Sequence, residues 1–105
     1  MDVTFKKWKC RANGKYYANG RKAIFLDDIE DGSPVAVATV NIPEKHLEDN
    51  QVCIKDYSNN IGMALALIQA GIIKDNILNM VPCGYVEVSV YELTEKALKE
   101  LWPSE

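Results

Sequence analysis

Residues 52–73 read VCIKDYSNNIGMALALIQAGII, and this stretch decides the fold that the sequence predicts. It begins as a short apolar strand, passes through a charged turn, and then runs from 58 to 73 without a charged residue. Aliphatic side chains recur at the spacing of one helical face, at Ile61, Ala64, Leu65, Ile68 and Ile72. Because apolar residues fill much of the other faces too, the predicted helix needs to be covered on more than one side. We therefore predict a buried helix lying across a sheet, and a dimer or partner surface on its second face is the alternative.

The two ends of this helix carry their own signals. Ser58, Asn59 and Asn60 are residue types that cap a first turn, because a short side-chain oxygen accepts a free backbone N–H. Gly71 stands where a left-handed residue ends a helix, and Ile72 after it can contact the last turn. The helix is shorter than the roughly 20 apolar residues that cross a bilayer, so we predict no membrane span.

The flanking sequence predicts strands that cover the helix, at 2–12, 21–27, 35–41, 51–55, 77–81 and 85–91. A bulge near Lys6-Lys7 would turn four side chains of the first strand inward: Val3, Phe5, Trp8 and Cys10. Tight turns are predicted at Asn13-Gly14 and Asn19-Gly20, and a further turn at 74–76. The segment 35–41 is apolar on both faces and rich in β-branched residues, which is typical of a central strand.

The last part of the chain alternates and then changes period. Between 85 and 91, three valines are expected to point inward and the residues between them outward: Val86, Val88 and Val90 against Tyr85, Glu87, Ser89 and Tyr91. Pro43 is predicted to start a short helical turn over 43–47. Thr94 is predicted to cap an amphipathic helix over 95–102. The fold class is therefore α+β: a mostly antiparallel sheet of five to six strands packed on one buried central helix, plus the C-terminal amphipathic helix, in a single domain spanning 1–105.

Composition limits the class of protein. Hydrophobic residues make up 48% of the 105 residues, which is typical of a folded domain rather than a disordered tail. The three cysteines, Cys10, Cys53 and Cys83, are odd in number and form no C-x-x-C pair, which disfavours a disulfide scaffold and a zinc site. No signal peptide opens the chain and the cysteine usage fits a reducing compartment, so we expect a cytoplasmic protein.

Charge is spread unevenly along the chain. Residues 1–22 hold seven Lys/Arg and one acidic residue, a formal charge of +6, whereas residues 23–105 carry −9. In the basic part, cations alternate with an aromatic side chain at Lys6, Lys7, Trp8, Lys9 and Arg11. Cations for phosphates and a ring for base stacking are what single-stranded nucleic acid requires, so a nucleic-acid-binding module is one functional hypothesis. An edge strand whose lysines prevent aggregation explains the same pattern, and the net charge of −3 favours that explanation.

A second candidate site lies where the strand at 51–55 meets the central helix. Lys55, Asp56 and Tyr57 stand before the predicted helix N-terminus, where the helix dipole favours negative charge. Asn41 and Glu44, at the end of the preceding strand, are grouped with them as a predicted contact site. A capped turn with a Lys–Asp pair is the structural alternative, and we favour it.

No catalytic constellation is defensible from spacing. His46 lies on a charged segment between Glu44 and Glu48, without the cleft that acid–base chemistry needs. Cys53 stands in an apolar strand and is expected in the core, and nothing near Cys83 in sequence would activate its thiol. We therefore expect a non-enzymatic protein with no cofactor and no metal ion.

Four runs of sequence resemble a small family found in phages and mobile elements of gut bacteria: NGRKAIFL (19–26), ATVNIPE (38–44), IKDYSNNIGMALALIQAGII (54–73) and VPCGYVEVSV (81–90). Relatives carry ATVNLPE-like and IKDYSENEGM-like runs in the same order, and the resemblance covers about 16–90. The chain departs from the family at Asn59-Asn60, where acidic residues are usual, in its basic N-terminal strand and in its C-terminal helix. The family has no known function, so no catalytic residue is carried across. The resemblance implies an accessory protein of a phage or mobile element of bacteria, and proteins of that size and origin often bind a host protein. The second apolar face of the central helix makes a second copy of the chain, in a homodimer, the other expected partner.

Overall fold

The computed structural model describes residues 1–103. In that range it contains seven strands: β1 (Asp2–Phe5), β2 (Trp8–Tyr16), β3 (Lys22–Asp28), β4 (Pro34–Val37), β5 (Gln51–Ile54), β6 (Ile73–Cys83) and β7 (Val86–Leu93). It also contains two α-helices, α1 (Met63–Gln69) and α2 (Glu95–Leu101), and a 3-10 turn, Ser58–Asn60. The Cα radius of gyration is 12.8 Å, close to the roughly 13 Å of a compact domain of about 100 residues.

The strands form two antiparallel sheets, in the orders β1-β2-β3-β4 and β5-β7-β6. The α+β class is confirmed, but the prediction of one sheet of five to six strands on one central helix is wrong. After β4 the chain leaves the first sheet and runs along β5, where Val40 N donates to Cys53 O at 3.0 Å and Lys55 N donates to Ala38 O at 2.9 Å. The segment 35–41, predicted as one central strand, is therefore the connection between the two sheets, with β4 at the end of the first.

The N-terminal region departs from the prediction because Lys6-Lys7 forms a tight turn instead of a bulge. Phe5 pairs with Trp8 across this turn, and Lys6 adopts a left-handed φ of 54°. Val3, Phe5 and Cys10 are buried as expected, but Trp8 has 38% of its surface exposed. Trp8 is the cross-strand partner of Phe5 and shares a face of β2 with Cys10 and Ala12, so its side chain is on the core side of the sheet. It stands at the end of the sheet, beside the turn, where part of its surface stays exposed.

The predicted turn at Asn13-Gly14 is also wrong, because both residues lie inside β2 opposite β3. The turn occurs instead at the second Asn-Gly pair, where Gly20 has a φ of +85°. Gly14 meets a different need: a Cβ at this position would lie 2.3 Å from the carbonyl oxygen of Leu101. Glycine at this position lets the end of α2 lie directly against β2.

The central helix is shorter than predicted and is interrupted. The 3-10 turn is followed by Gly62, whose φ of +95° breaks the helix before α1 begins. Asp56, not one of the predicted capping residues, caps α1: its Oδ1 accepts from Gly62 N at 2.8 Å and its Oδ2 from Ala64 N at 2.9 Å. The predicted end is confirmed, since Gly71 has a φ of +77° and the buried Ile72 donates its N–H to Leu67 O at 3.0 Å.

The second sheet is built around a long β-hairpin. β6 runs through the predicted turn at 74–76 and pairs with β7 across the two-residue loop 84–85. Val88 and Val90 point into a small core with Cys53, as expected. Tyr91, expected outside, is only 7% exposed because the opposite face of the sheet packs on the main core.

The main core lies between the first sheet, the inner face of the second sheet and both helices. Thr94 caps α2 as predicted, with Oγ1 accepting from Ala97 N at 3.1 Å. The same hydroxyl donates to Gly71 O at 2.7 Å and so joins the start of α2 to the end of α1. Neither α-helix in residues 1–103 is long and apolar enough to cross a bilayer.

Candidate interaction surfaces

The residues Lys55, Asp56 and Tyr57 form a structured connection between β5 and α1. Both carboxylate oxygens of Asp56 are engaged by backbone N–H groups of the helix start. The Lys55 ammonium lies 5.7 Å from the centre of the Tyr57 ring, and this ring packs against the small core. Burial, and to a lesser extent the nearby Cys83, raises the pKa of the Tyr57 hydroxyl. The capped turn that we favoured from sequence is found, but Lys55 and Asp56 make these contacts instead of the predicted Lys–Asp pair.

Asn41 and Glu44 lie elsewhere. Because the connection runs antiparallel to β5, with Ala38 beside Lys55 and Val40 beside Cys53, the chain moves away from Lys55 as it approaches Asn41. The Asn41 side chain instead accepts a hydrogen bond from Asn19 Nδ2 at 3.2 Å. The predicted five-residue contact site is therefore divided between the two ends of β5.

The loop that carries Glu44 is fixed by one cation. The Arg21 guanidinium donates to Ile42 O at 2.6 Å, to Pro43 O at 3.4 Å and to Lys45 O. The predicted helical turn over 43–47 is a single hydrogen-bonded turn, in which Lys45 N donates to Ile42 O at 3.1 Å. Glu44 is exposed on this rigid loop, whereas Arg21 is committed to holding it.

The start of α1 presents an apolar surface to solvent. Ile61 is 65% exposed and Leu65 is 59% exposed, and we call this pair the α1 surface. Between them Met63 is completely buried, so the two sides of this segment differ sharply. Sequence periodicity assigned both exposed residues to the buried face, because nothing in the spacing alone reveals that Gly62 resets the helix.

The α1 surface is held in place from both sides. Asn60 is buried, and its Nδ2 donates to Val37 O on β4 at 2.7 Å. Lys6, in the β1–β2 turn, donates from Nζ to Asn59 O at 2.9 Å. The exposed apolar pair therefore sits on a rigid support rather than on a mobile loop.

The predicted nucleic-acid residues form an exposed run in the β1–β2 turn and the start of β2: Lys6, Lys7, Trp8, Lys9 and Arg11. Several of these side chains already contact carboxylates or aromatic rings of the same chain. Arg11 Nε lies 3.9 Å from Asp2 Oδ1, and Arg11 stands opposite Asp27 in the sheet. Lys7 Nζ lies 5.4 Å from the centre of the Trp8 ring. The other basic residues of 1–22 are also engaged, because Lys15 lies 4.7 Å from the Phe25 ring and Lys22 is only 8% exposed.

A pocket beside α2 explains the burial of Lys22. Its Nζ donates to Asp49 O at 3.0 Å and lies 5.7 Å from the Trp102 ring. Trp102 in turn donates from Nε1 to Lys15 O at 3.0 Å. The Trp102 bond therefore anchors the end of α2 to the first sheet, beside a cavity of about 310 Å³.

The outer edge of β6 is the longest exposed strand edge, with residues 74–80 all exposed. Two features hinder the addition of another strand there. Pro82 has no N–H to donate, and the Met80 N–H already donates to Asn79 Oδ1 at 2.9 Å. Pairing with β7 also shifts register between Ile73 and Asn79, which distorts the edge.

Within residues 1–103, no group of three His, Cys, Asp or Glu side chains is placed to hold a metal ion. His46 is exposed as predicted, with Nε2 3.5 Å from Glu48 Oε1. Burial raises the pKa of the Cys53 thiol, and burial followed by Asp28 and Asp27 raises that of Cys10.

Comparison with known proteins found no family model, curated protein or solved structure that matches the chain.

Proposed function

We propose that this chain is a non-enzymatic accessory protein of a phage or mobile element, which acts in the bacterial cell by binding a host protein or a second copy of itself. The α1 surface carries this proposal, because two large aliphatic side chains are exposed on a rigid support. The run at 54–73, which resembles the phage family, includes both residues of this surface.

The energetics favour such a contact. Complete burial of an aliphatic side chain contributes about 1.5–3 kcal/mol. The supports supplied by Asp56, Asn60 and Lys6 fix the backbone before binding. Little conformational entropy is therefore lost when a partner covers Ile61 and Leu65.

A double substitution tests the proposal. Ile61→Ser with Leu65→Ser removes both aliphatic groups from solvent-exposed positions, and Ile77→Ser, a single change of the same kind on the exposed part of β6, is the control. We expect the wild-type chain and Ile77→Ser to retain the same partner from a host lysate, or to dimerise by light scattering. The double variant should bind about tenfold more weakly or worse, while its thermal unfolding stays cooperative. Equal retention by all three proteins, or a wild-type chain that is monomeric and recovers only itself, would contradict the proposal.

Nucleic-acid binding is the second candidate, and the exposed Trp8 among Lys6, Lys7 and Lys9 favours it. The opposing carboxylates of Asp28 and Glu30 beside the same residues weaken it, because they repel phosphates. Filter binding at low salt tests it with oligothymidylate and with duplex DNA. Retention that is lost with Trp8→Ala and falls steeply with salt would support this candidate, and no retention of either probe would eliminate it.

A further inference from the structure

A groove separates the β1–β2 turn from the β3–β4 turn. Lys7, Trp8 and Lys9 line one wall, and Asp28, Ile29 and Glu30 line the other. The walls are joined at the base, where Ile29 N donates to Lys9 O at 3.1 Å. The groove encloses about 440 Å³, within the range of roughly 300–1,000 Å³ typical of ligand sites.

Each wall of this groove combines one apolar side chain with two residues of the same charge. Trp8 is 38% exposed and Ile29 is 41% exposed, so each wall offers a large apolar side chain. The first wall carries two basic residues, Lys7 and Lys9, and the second carries two acidic residues, Asp28 and Glu30. The ion pairs formed within residues 1–103 include none of the four charged groups in the groove.

The second wall is preshaped by its own turn. Asp28 Oδ1 accepts from Glu30 N at 2.8 Å, and Asp28 N donates to Ser33 O at 2.8 Å. The first bond holds the Asp28 carboxylate, and both bonds shape the backbone that carries Ile29 and Glu30. The groove therefore has a basic wall and an acidic wall, each with one large apolar side chain, Trp8 or Ile29.

We propose that the groove binds an extended polypeptide segment in which an apolar side chain stands between an acidic and a basic residue at alternate positions. In an extended chain, residues i, i+2 and i+4 lie on one face. The acidic residue then faces Lys7 and Lys9, the basic residue faces Asp28 and Glu30, and the apolar side chain contacts Trp8. A nucleic acid offers only negative charge, so one wall repels it. This groove is separate from the α1 surface, and neither proposal depends on the other.

The two tryptophans provide the assay. In a ¹⁵N-labelled chain, the Trp8 indole N–H reports on the groove, and the buried Trp102 indole, bonded to Lys15 O, serves as an internal reference. The probe is the capped peptide Ser-Glu-Ser-Leu-Ser-Lys-Ser, titrated to millimolar concentration. Its controls replace both charged residues by Gln, by Glu or by Lys, and an oligothymidylate of eight nucleotides tests the nucleic-acid alternative.

We expect the mixed-charge peptide to shift the Trp8 signal and not that of Trp102. The three control peptides should bind about threefold to tenfold more weakly, since each exposed ion pair contributes little. Lys7→Glu with Lys9→Glu makes both walls acidic and should transfer the preference to the Lys-substituted peptide. Glu30→Lys leaves the opposite wall neutral, because Asp28 remains, and should remove the preference for the mixed-charge peptide over the Glu-substituted peptide.

Three results would overturn the proposal. One is an unmoved Trp8 signal with the mixed-charge peptide, and another is equal binding of the Gln-substituted peptide. The third is stronger binding of oligothymidylate, which would assign the groove to nucleic acid instead.

Discussion

Asp56 had two predicted roles, as a contact residue and as part of the capped turn that we favoured, and the structure shows the second. It was grouped with contact residues because it precedes a helix, and the structure uses it to cap that helix through two backbone N–H groups. The predicted capping residues at 58–60 form a 3-10 turn instead, in which Asn60 binds β4. The sequence shows that Asp56 lies close to the start of a helix. It does not show that the carboxylate accepts from Gly62 and Ala64, which follow six and eight residues later.

Replacing Asp56 by alanine should therefore reduce the free energy of unfolding by about 1–2 kcal/mol, the usual loss when a capping side chain is removed. Asp56→Asn keeps one acceptor oxygen and should lie between. Urea denaturation at neutral pH measures both, with the exposed Asp75→Ala as the control. A loss no larger than that of Asp75→Ala would mean that the cap does not stabilise α1.

Gly14 illustrates a requirement that arises only from tertiary contact. Gly14→Ala places a Cβ against the backbone of Leu101, so α2 has to shift. We expect the free energy of unfolding to fall by about 1–3 kcal/mol, the typical effect of overpacking. Glu87→Ala, on the exposed side of β7, should change it by less than about 0.5 kcal/mol in the same urea titration. An unchanged Gly14→Ala protein would show that α2 does not lie against β2.

At the scale of elements, the sequence predicted the presence of helices and strands better than the residues at which they begin and end. The strands around β3, β5 and β7 and the helix α2 were found where alternation and capping placed them. The errors arose at Lys6-Lys7 and Gly62, where one residue of positive φ ends an element that periodicity would continue. Two Asn-Gly pairs gave equal turn signals, and only the pairing of β2 with β3 distinguishes them.

Thr94 tests the junction of the two helices. Its hydroxyl accepts from Ala97 N and donates to Gly71 O, so Thr94→Val should lose both bonds and about 1–2 kcal/mol of stability. Thr94→Ser retains the hydroxyl and should lose less than half as much. Chemical denaturation of the two variants gives the comparison, and equal losses would exclude a role for the hydroxyl.

At the scale of the molecule, the α+β class followed from composition and periodicity, but the division into two sheets did not. That division depends on the chain leaving β3 at Ala38 and running along β5. The two backbone hydrogen bonds that hold it there, from Val40 N to Cys53 O and from Lys55 N to Ala38 O, have no sequence signature. The α1 surface was not predicted, because the exposure of Ile61 and Leu65 depends on how the whole core closes around Met63 and Leu67.

Alkaline pH should destabilise the whole molecule. Burial raises the pKa of Cys10 and Cys53 above their ordinary value of 9.0, and that of Tyr17 and Tyr91 above 10.0. The unfolded chain loses these protons first, so the stabilisation is complete below pH 9 and is lost as pH rises through the folded values. Urea denaturation at pH 7, 9 and 10 should show a falling free energy of unfolding. Cys10→Ala with Cys53→Ala should flatten the decline between pH 9 and 10, and an unchanged slope would contradict this assignment.

Photo-crosslinking tests the central claim, that the α1 surface meets a protein partner, most directly. A photoreactive phenylalanine analogue is placed at position 61 or 65, and at position 77 as the control, and each protein is irradiated in bacterial host cells. We predict one covalent adduct from positions 61 and 65, with either a host protein or a second copy of the chain, and no such adduct from position 77. No adduct from 61 and 65, or the same adducts from all three positions, would contradict the account.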